Sequence, residues 1–208
     1  CECSSLKSII IPDSVTSIGK STFFQCSSLT SITIPDSVTT IGNGTFYYCR
    51  SLSTIDVSEN NQYFVSVDGV LFTKDMKTLL CYPAGKKESN FSIPNSVTTI
   101  EKWAFSECSS LTSIIIPNSI TIGYGAFFSC SSLTSGTIGT IDWKLDKETR
   151  EITFTGKGEM MSLNSYPWRG MKSIEKVTIS EGITTIGECA FRGCSSLTSG
   201  TIGTIDWK

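Results

Sequence analysis

Nine cysteines and not one histidine bound the chemistry open to this chain. Without imidazole there is no Ser-His-Asp or Cys-His nucleophile, no His-ligated zinc and no histidine pH switch. A nucleophilic serine would then need a lysine base, and no S-x-x-K element stands in a catalytic setting. Solvated strand faces and turns account better for the abundant serine and threonine. Six of the cysteines, Cys3, Cys26, Cys49, Cys108, Cys130 and Cys194, fall at one register of a repeat, where cysteine behaves as a small buried hydrophobe. Coils stacked about 4.8 Å apart do not by themselves forbid a bridge between neighbours. Packing already explains the register, however, and the cysteine total is odd, so a ladder of buried free thiols is expected. No Cys-x2-Cys pair exists and Cys1-x-Cys3 is a poor zinc site, so neither metal nor cofactor is expected. Asp56, Glu59, Asp68 and Asp75 gather carboxylates in one stretch, but glycoside cleavage needs paired acids at a fixed separation, and nothing fixes one here. Trp143, Tyr166 and Trp168 have the rings to stack on a sugar, although aromatics in an all-β segment are more often core.

The elements that would position such residues are repeats. CSSLTSITIPDSVTTIGNGTFYY at 26–48 recurs with substitutions along the chain, at a period near 23 residues, which is the mark of a solenoid. Its apolar positions are Cys26, Leu29, Ile32, Ile34, Val38, Ile41 and Phe46. The step of two between Ile32 and Ile34 predicts a strand with Ser31 and Thr33 outward. Pro35 cannot donate to a ladder and belongs at the strand end, as do Pro12, Pro94 and Pro117. Residues 38–41 predict a second short strand closed by Gly42, where glycine implies positive φ or a close backbone approach. Phe46 and Cys49, three apart, fit one helical turn leading to the next coil. Phe23, Phe46, Phe105, Phe127 and Phe191 all precede a repeat cysteine by three and should stack as an interior aromatic ladder.

Two departures interrupt the pattern. Residues 56–90 contain GVLFT at 69–73 and TLLCYP at 78–83, which predict a β-hairpin with a Lys-Asp turn. Residues 136–174 alternate apolar and polar types, with turn residues at 146–148 and 156–158, and predict a small module of two or three strands followed by an irregular segment. The expected division is therefore a solenoid at 1–135 with its hairpin insert, a β-rich module at 136–174, and a resumed repeat with the start of a second module at 175–208. CSSLTSGTIGTIDWK occurs twice without change, at 130–144 and 194–208, which implies a larger tandem unit. The chain opens and closes inside repeats and is read as a piece of a longer protein.

Bulk composition excludes several partner classes. Hydrophobic content of 39% with only 17% charged residues rules out a disordered chain. A formal net charge of −2 gives no electrostatic reason to expect nucleic acid or an anionic membrane. No apolar run reaches 18 residues, so no transmembrane helix is expected in this segment.

The pattern C-x-x-L-x-x-I-x-I-P-x-x-V-x-x-I-G-x-x-A/T-F-x-x-C resembles the BspA-like, or Treponema pallidum-type, leucine-rich-repeat family across essentially the whole chain. NNQYFVSVDGVLFTKDMKTLLCYPAGK resembles the hairpin variant found between such repeats. GTIG, ITFTGKGEM and Tyr166-Pro167-Trp168 resemble a β-rich module found beside them. Where that module would carry GTCG, Ile138 and Ile202 replace the cysteine, so any bridge there is absent. The resemblance implies a mostly β, right-handed leucine-rich-repeat solenoid with a hairpin insert and a small intervening β-module. It also implies a non-enzymatic, cell-surface or secreted module, with protein partners such as host matrix or other cell-surface proteins. A structural spacer, or more distantly a polysaccharide-active enzyme, are the alternatives. The outward strand positions Ser8, Ser31 and Ser113, with Ile10, Thr33 and Ile115 beside them, form the candidate binding face.

Overall fold

Alternation along Ser31–Ile34 works as expected: Ser31 and Thr33 are exposed while Ile32 and Ile34 are buried. The computed structural model describes residues 2–203 and 205–207, and among these there is no helix. Coils stack so that the first strands pair in parallel and in register, with Ser31 beside Thr54 and Ile32 beside Ile55. The second strands are two residues long and pair likewise, Ser17–Ile18 with Thr40–Ile41 and Thr99–Ile100 with Thr121–Ile122. Gly42 serves the close approach rather than positive φ, since an added Cβ there would overlap the backbone of Gly19 and Lys20.

The insert is a coil rebuilt. Val70–Thr73 and Thr78–Cys81 form the expected antiparallel hairpin, and a further strand, Phe64–Val67, adds to it. Asp75 shapes the turn by accepting from the Thr73 hydroxyl (2.7 Å) and the Lys77 amide (3.0 Å), bonds that hold its carboxyl below the ordinary aspartate range. Thr78–Cys81 then pairs in parallel with Thr99–Ile100, so the hairpin arm stands where a coil's second strand would stand. Asn61 anchors the entry. It is fully buried, donates to the carbonyls of Pro35 and Val38, and accepts from the amides of Tyr63 and Phe64.

Beyond the insert one sheet of eight strands runs in the order Asn90–Ser92, Ser113–Ile116, Ser135–Ile138, Ile141–Asp146, Glu151–Gly156, Lys176–Ile179, Ser199–Ile202 and Ile205–Trp207. Ile141–Asp146 pairs antiparallel with both Ser135–Ile138 and Glu151–Gly156, while the repeat strands on either side of this insertion pair in parallel. Hydrogen bonding passes without a break through residues 135–136, inside Ser135–Ile138, and on into the strand at Lys176–Ile179. The second CSSLTSGTIGTIDWK copies the first: Ser199–Ile202 and Ile205–Trp207 pair antiparallel, as Ser135–Ile138 and Ile141–Asp146 do.

The expected single turn between Phe46 and Cys49 forms, closed by an i to i+3 bond but with a left-handed residue that makes it a β-turn rather than a turn of helix. Cys49 donates to the Phe46 carbonyl (3.1 Å), and Cys26 and Cys130 do the same to Phe23 and Phe127, giving single turns that go no further. The residue before each cysteine ends them: Gln25, Tyr48, Glu107 and Ser129 all have positive φ, as does Gly193. A left-handed residue cannot continue a right-handed helix. It is held there because the turns pair with one another, Phe23 N–H to Thr45 O and Gln25 N–H to Tyr47 O.

Two apolar clusters fill the interior, one from Ile18 to Leu71 and one from Val70 to Cys194. They meet at the hairpin, where Leu71 serves the first and its neighbours Val70 and Phe72 the second. Aromatic stacking follows the same division. Phe23 lies on Phe46 (5.7 Å), and Tyr82, Phe105 and Phe127 form a second run with 5.2 Å between centroids at each step. Tyr82 and Trp168 occupy the phenylalanine register in the coils that lack Phe there. Trp143, Tyr166 and Trp168 are buried together and belong to the core.

Candidate binding surfaces

The cysteine ladder holds thiols that face the coil before them. Cys49 Sγ lies 3.0 Å from the Phe23 carbonyl, Cys108 3.7 Å from that of Tyr82, Cys130 2.9 Å from that of Phe105 and Cys194 3.6 Å from that of Trp168. Each is a thiol donating to the backbone of the stacked aromatic one coil earlier. The eight described cysteines are all free, five of them buried at the repeat register. Burial pushes the Cys49 thiol up to about 12 and raises Cys26, Cys108 and Cys194 as well, so nucleophilic thiolate is suppressed. No cluster of metal-ligating side chains occurs among the described residues. Two of the four insert carboxylates serve local structure: Asp56 accepts from Thr54, and Asp75 shapes the hairpin.

The six candidate strand-face residues fall into two groups. Ser8 and Ile10 are exposed, Ile10 at 91%, and the adjoining coil carries exposed Ser31 and Thr33. Ser113 is half-buried and Ile115 exposed, in register with Asn90 and Ser92 on one side and Ser135 and Thr137 on the other. Between the groups stands the hairpin turn at Asp68 and Gly69. The Gly69 carbonyl accepts from Ile55 N–H, and Lys86 Nζ donates to the Asp68 carbonyl (2.6 Å). The structure brings Ser8, Ile10, Ser31 and Thr33 to adjoining coils and separates them from Ser113 and Ile115.

A second surface, along the turns, escaped the reading of the repeat. The doublets Phe23-Phe24 and Phe127-Phe128 and the triplet Phe46-Tyr47-Tyr48 put one ring inward and the next outward. Phe24 lies 5.5 Å from Tyr47, and Tyr47 stacks on Trp103 at 4.7 Å. Trp103 in turn meets Tyr124 (5.3 Å) and Phe128 (5.8 Å), giving a strip that crosses four coils. Tyr124 is 55% exposed and Phe128 43%. Gly125, at φ +67°, makes room for it, since an added Cβ would overlap ring atoms of Trp103. Cations flank the strip: Arg50 lies over Tyr48 (5.3 Å) and pairs with Glu107 (3.1 Å), and Arg169 lies over Tyr124 (5.0 Å). Phe24, Tyr47, Tyr48 and Trp103 are half-buried, so the strip is a run of partly exposed rings that ends in two exposed ones, and such an apolar patch is a candidate contact surface.

Short in-register parallel strands, a recurring leucine and cysteine that are buried in most coils, and sheet faces open to solvent define a leucine-rich-repeat solenoid. The BspA type leucine rich repeat pattern matches residues 1–67 and 83–198 in six copies, and the chain belongs to that family. The internal unmatched stretch, 68–82, holds the hairpin. A leucine rich cell surface protein from Faecalibacterium prausnitzii A2-165 is similar in structure, with a TM-score of 0.71 and 30% identity over 98% of this chain and 55% of that one. A leucine-rich repeat protein from Eubacterium ventriosum shares 28% identity at a TM-score of 0.63, over 94% and 54%. The pneumococcal vaccine antigen PcpA shares the fold at 24% identity and a TM-score of 0.65, over 97% and 52%. The chain thus spans about half the length of these structures. No protein of curated function matches its sequence.

Proposed function

We propose that this chain is a non-enzymatic, protein-binding segment of a bacterial surface protein, with adhesion to host matrix or other cell-surface proteins as its role. The partly exposed aromatic strip from Phe24 to Phe128 carries the reading, because it repeats one type of contact over stacked coils. Repetition converts weak contacts into avidity. Surface location is supported by the name of the Faecalibacterium relative. The outward positions Ser8, Ile10, Ser31, Thr33, Ser113 and Ile115 are the alternative contact face.

Solid-phase binding to fibronectin, fibrinogen and mucins tests the reading, with single and concatenated copies side by side. Phe24→Ser with Tyr48→Ser should weaken saturable binding at least tenfold, while Thr33→Lys with Ile115→Lys should leave it within a factor of two. The reverse pattern would move the contact to the strand face. Absence of binding by folded protein at every valency would leave the spacer reading.

A further inference from the structure

The turns of successive coils are joined by backbone bonds at a fixed register. The amides of the stacked aromatic and of the residue two later donate to the carbonyls that flank the next coil's aromatic. Phe105 and Glu107 thus donate to Ala126 and Phe128, both at 2.8 Å, and Gly170 donates to Arg192 at 3.1 Å. The next donors in that register are the amides of Phe127 and Ser129, and the matching acceptors across the way are the carbonyls of Pro167 and Arg169. None of these four groups has a backbone partner among the described residues.

The cause is a mismatch between the two sides of the solenoid. Two strands, Ile141–Asp146 and Glu151–Gly156, enter the sheet between Ser135–Ile138 and Lys176–Ile179, but the turn edge gains no turn to accompany them. Three strand spacings are about 14 Å. A groove of about 520 Å³ opens there. Trp103, Tyr124 and Phe128 line one side, and Arg169, Met171 and Arg192 the other. Its lining includes two arginines and no carboxylate, in a chain whose net charge is −2. Neither arginine is ion-paired among the described residues, although Arg169 lies over Tyr124 and donates to the Asn164 carbonyl (2.9 Å).

We propose that this groove binds an extended acidic peptide segment of a partner protein, laid along the free turn edge as the missing rung. Its backbone carbonyls accept from Phe127 and Ser129 N–H. Side chains of one parity reach across to Arg169 and Arg192 as carboxylates, and those of the other parity rest on Phe128. Edge pairing supplies affinity and alternate side chains supply selectivity, as in other strand-addition sites. The unpaired amides in strand register favour a peptide over an acidic sugar, which would use the arginines and rings alone. This inference rests on the protein-binding reading and narrows it to one site and one ligand chemistry.

The probe is a fluorescein-labelled eight-residue peptide alternating valine and glutamate, followed by anisotropy and by amide nitrogen–proton NMR of the whole chain. Saturable binding that perturbs the Phe127 and Ser129 amides is expected. Replacing glutamate with lysine in the peptide, or Arg169→Gln with Arg192→Gln in the protein, should weaken it at least tenfold. Arg192→Gln alone, whose side chain makes no hydrogen bond among the described residues, should weaken binding several-fold with an unchanged melting curve. The proposal is overturned by no saturable binding, by undiminished binding to the double variant, or by tighter groove binding of an oligogalacturonate than of the peptide. If the peptide fails while matrix proteins still bind, the groove assignment falls alone. If both fail, the protein-binding reading falls with it.

Discussion

Phe105→Ala is the sharpest test of the stacked interior. Phe105 has no exposed surface and lies between Tyr82 and Phe127, with 5.2 Å between centroids and planes within 23° on each side, and Phe91 5.9 Å away. Truncating a buried phenylalanine costs about 3–5 kcal/mol in transfer and cavity terms. Ring pairing adds about 0.5–1.5 kcal/mol per good neighbour. Two stacked neighbours, with part of that already inside the cavity figure, put Phe105→Ala near the top of the range, at about 4–5 kcal/mol. Phe128→Ala, cut from a ring 43% exposed, should cost under about 1.5 kcal/mol. Because repeat stability is a sum of local and nearest-neighbour terms, the loss should be local. Native-state hydrogen exchange reads this directly. Amides of the coils holding Tyr82, Phe105 and Phe127 should lose about three powers of ten of protection. Those around Ile32 and Ile55, in the other apolar cluster, should keep theirs. Equal effects for Phe105→Ala and Phe128→Ala, or uniform loss along the chain, would refute the reasoning.

Asn61→Ala removes four hydrogen bonds from a fully buried side chain and should cost about 2–4 kcal/mol in urea unfolding. A cost below 1 kcal/mol would show that water replaces the amide (on the order of one ordinary bond). Gly125→Ala places a Cβ on the Trp103 ring at a left-handed position, so it should destabilise by about 1–3 kcal/mol and shift the tryptophan emission. An unchanged spectrum would contradict the close approach. Burial favours the neutral Cys49 thiol, lifting it from 9.0 to about 12, so its contribution to stability is complete below pH 9.0 and lost as pH rises towards 12. Urea midpoints should fall across that window, and less steeply in Cys49→Ala. A thiol reagent on native protein should label Cys3 and Cys189 quickly and the buried repeat cysteines only on unfolding.

The coil was legible because two periods agree: alternation places Ile32 and Ile34 inward, and the 23-residue recurrence places their equivalents on top of them. Cys26, Leu29, Val38 and Phe46 are buried as read, and Ile41 is half-buried. The hairpin was legible from the polar turn between two apolar runs. Other features were not, because their causes lie a coil away. Asn61 looks like one more polar loop residue until the carbonyls of Pro35 and Val38, 26 and 23 residues earlier, are in place. The turn before each cysteine reads as one turn of helix rather than a β-turn because Gln25, Tyr48, Glu107 and Ser129 carry no glycine signal for the left-handed backbone that pairing imposes. Of the candidate surface, the strand residues lie outward, but nothing in their spacing reveals that the turn at Asp68 and Gly69 divides them. The groove is a difference between two counts, strands on one side and turns on the other, and no local pattern encodes a difference.

The thiol ladder also has a direction. Each sulfur donates to a carbonyl about 25 or 26 residues behind it, never to one ahead. Exposed hydroxyls do the same: Thr30 reaches back to Lys7, Ser53 to Thr30, Thr112 to Ser89 and Thr198 to Glu175. For these side-chain bonds a chain emerging from its N-terminus finds the acceptor already made when the donor arrives. The turn amides run the other way, Phe23 to Thr45 and Phe105 to Ala126, so each completed coil also leaves donors that only the next one satisfies.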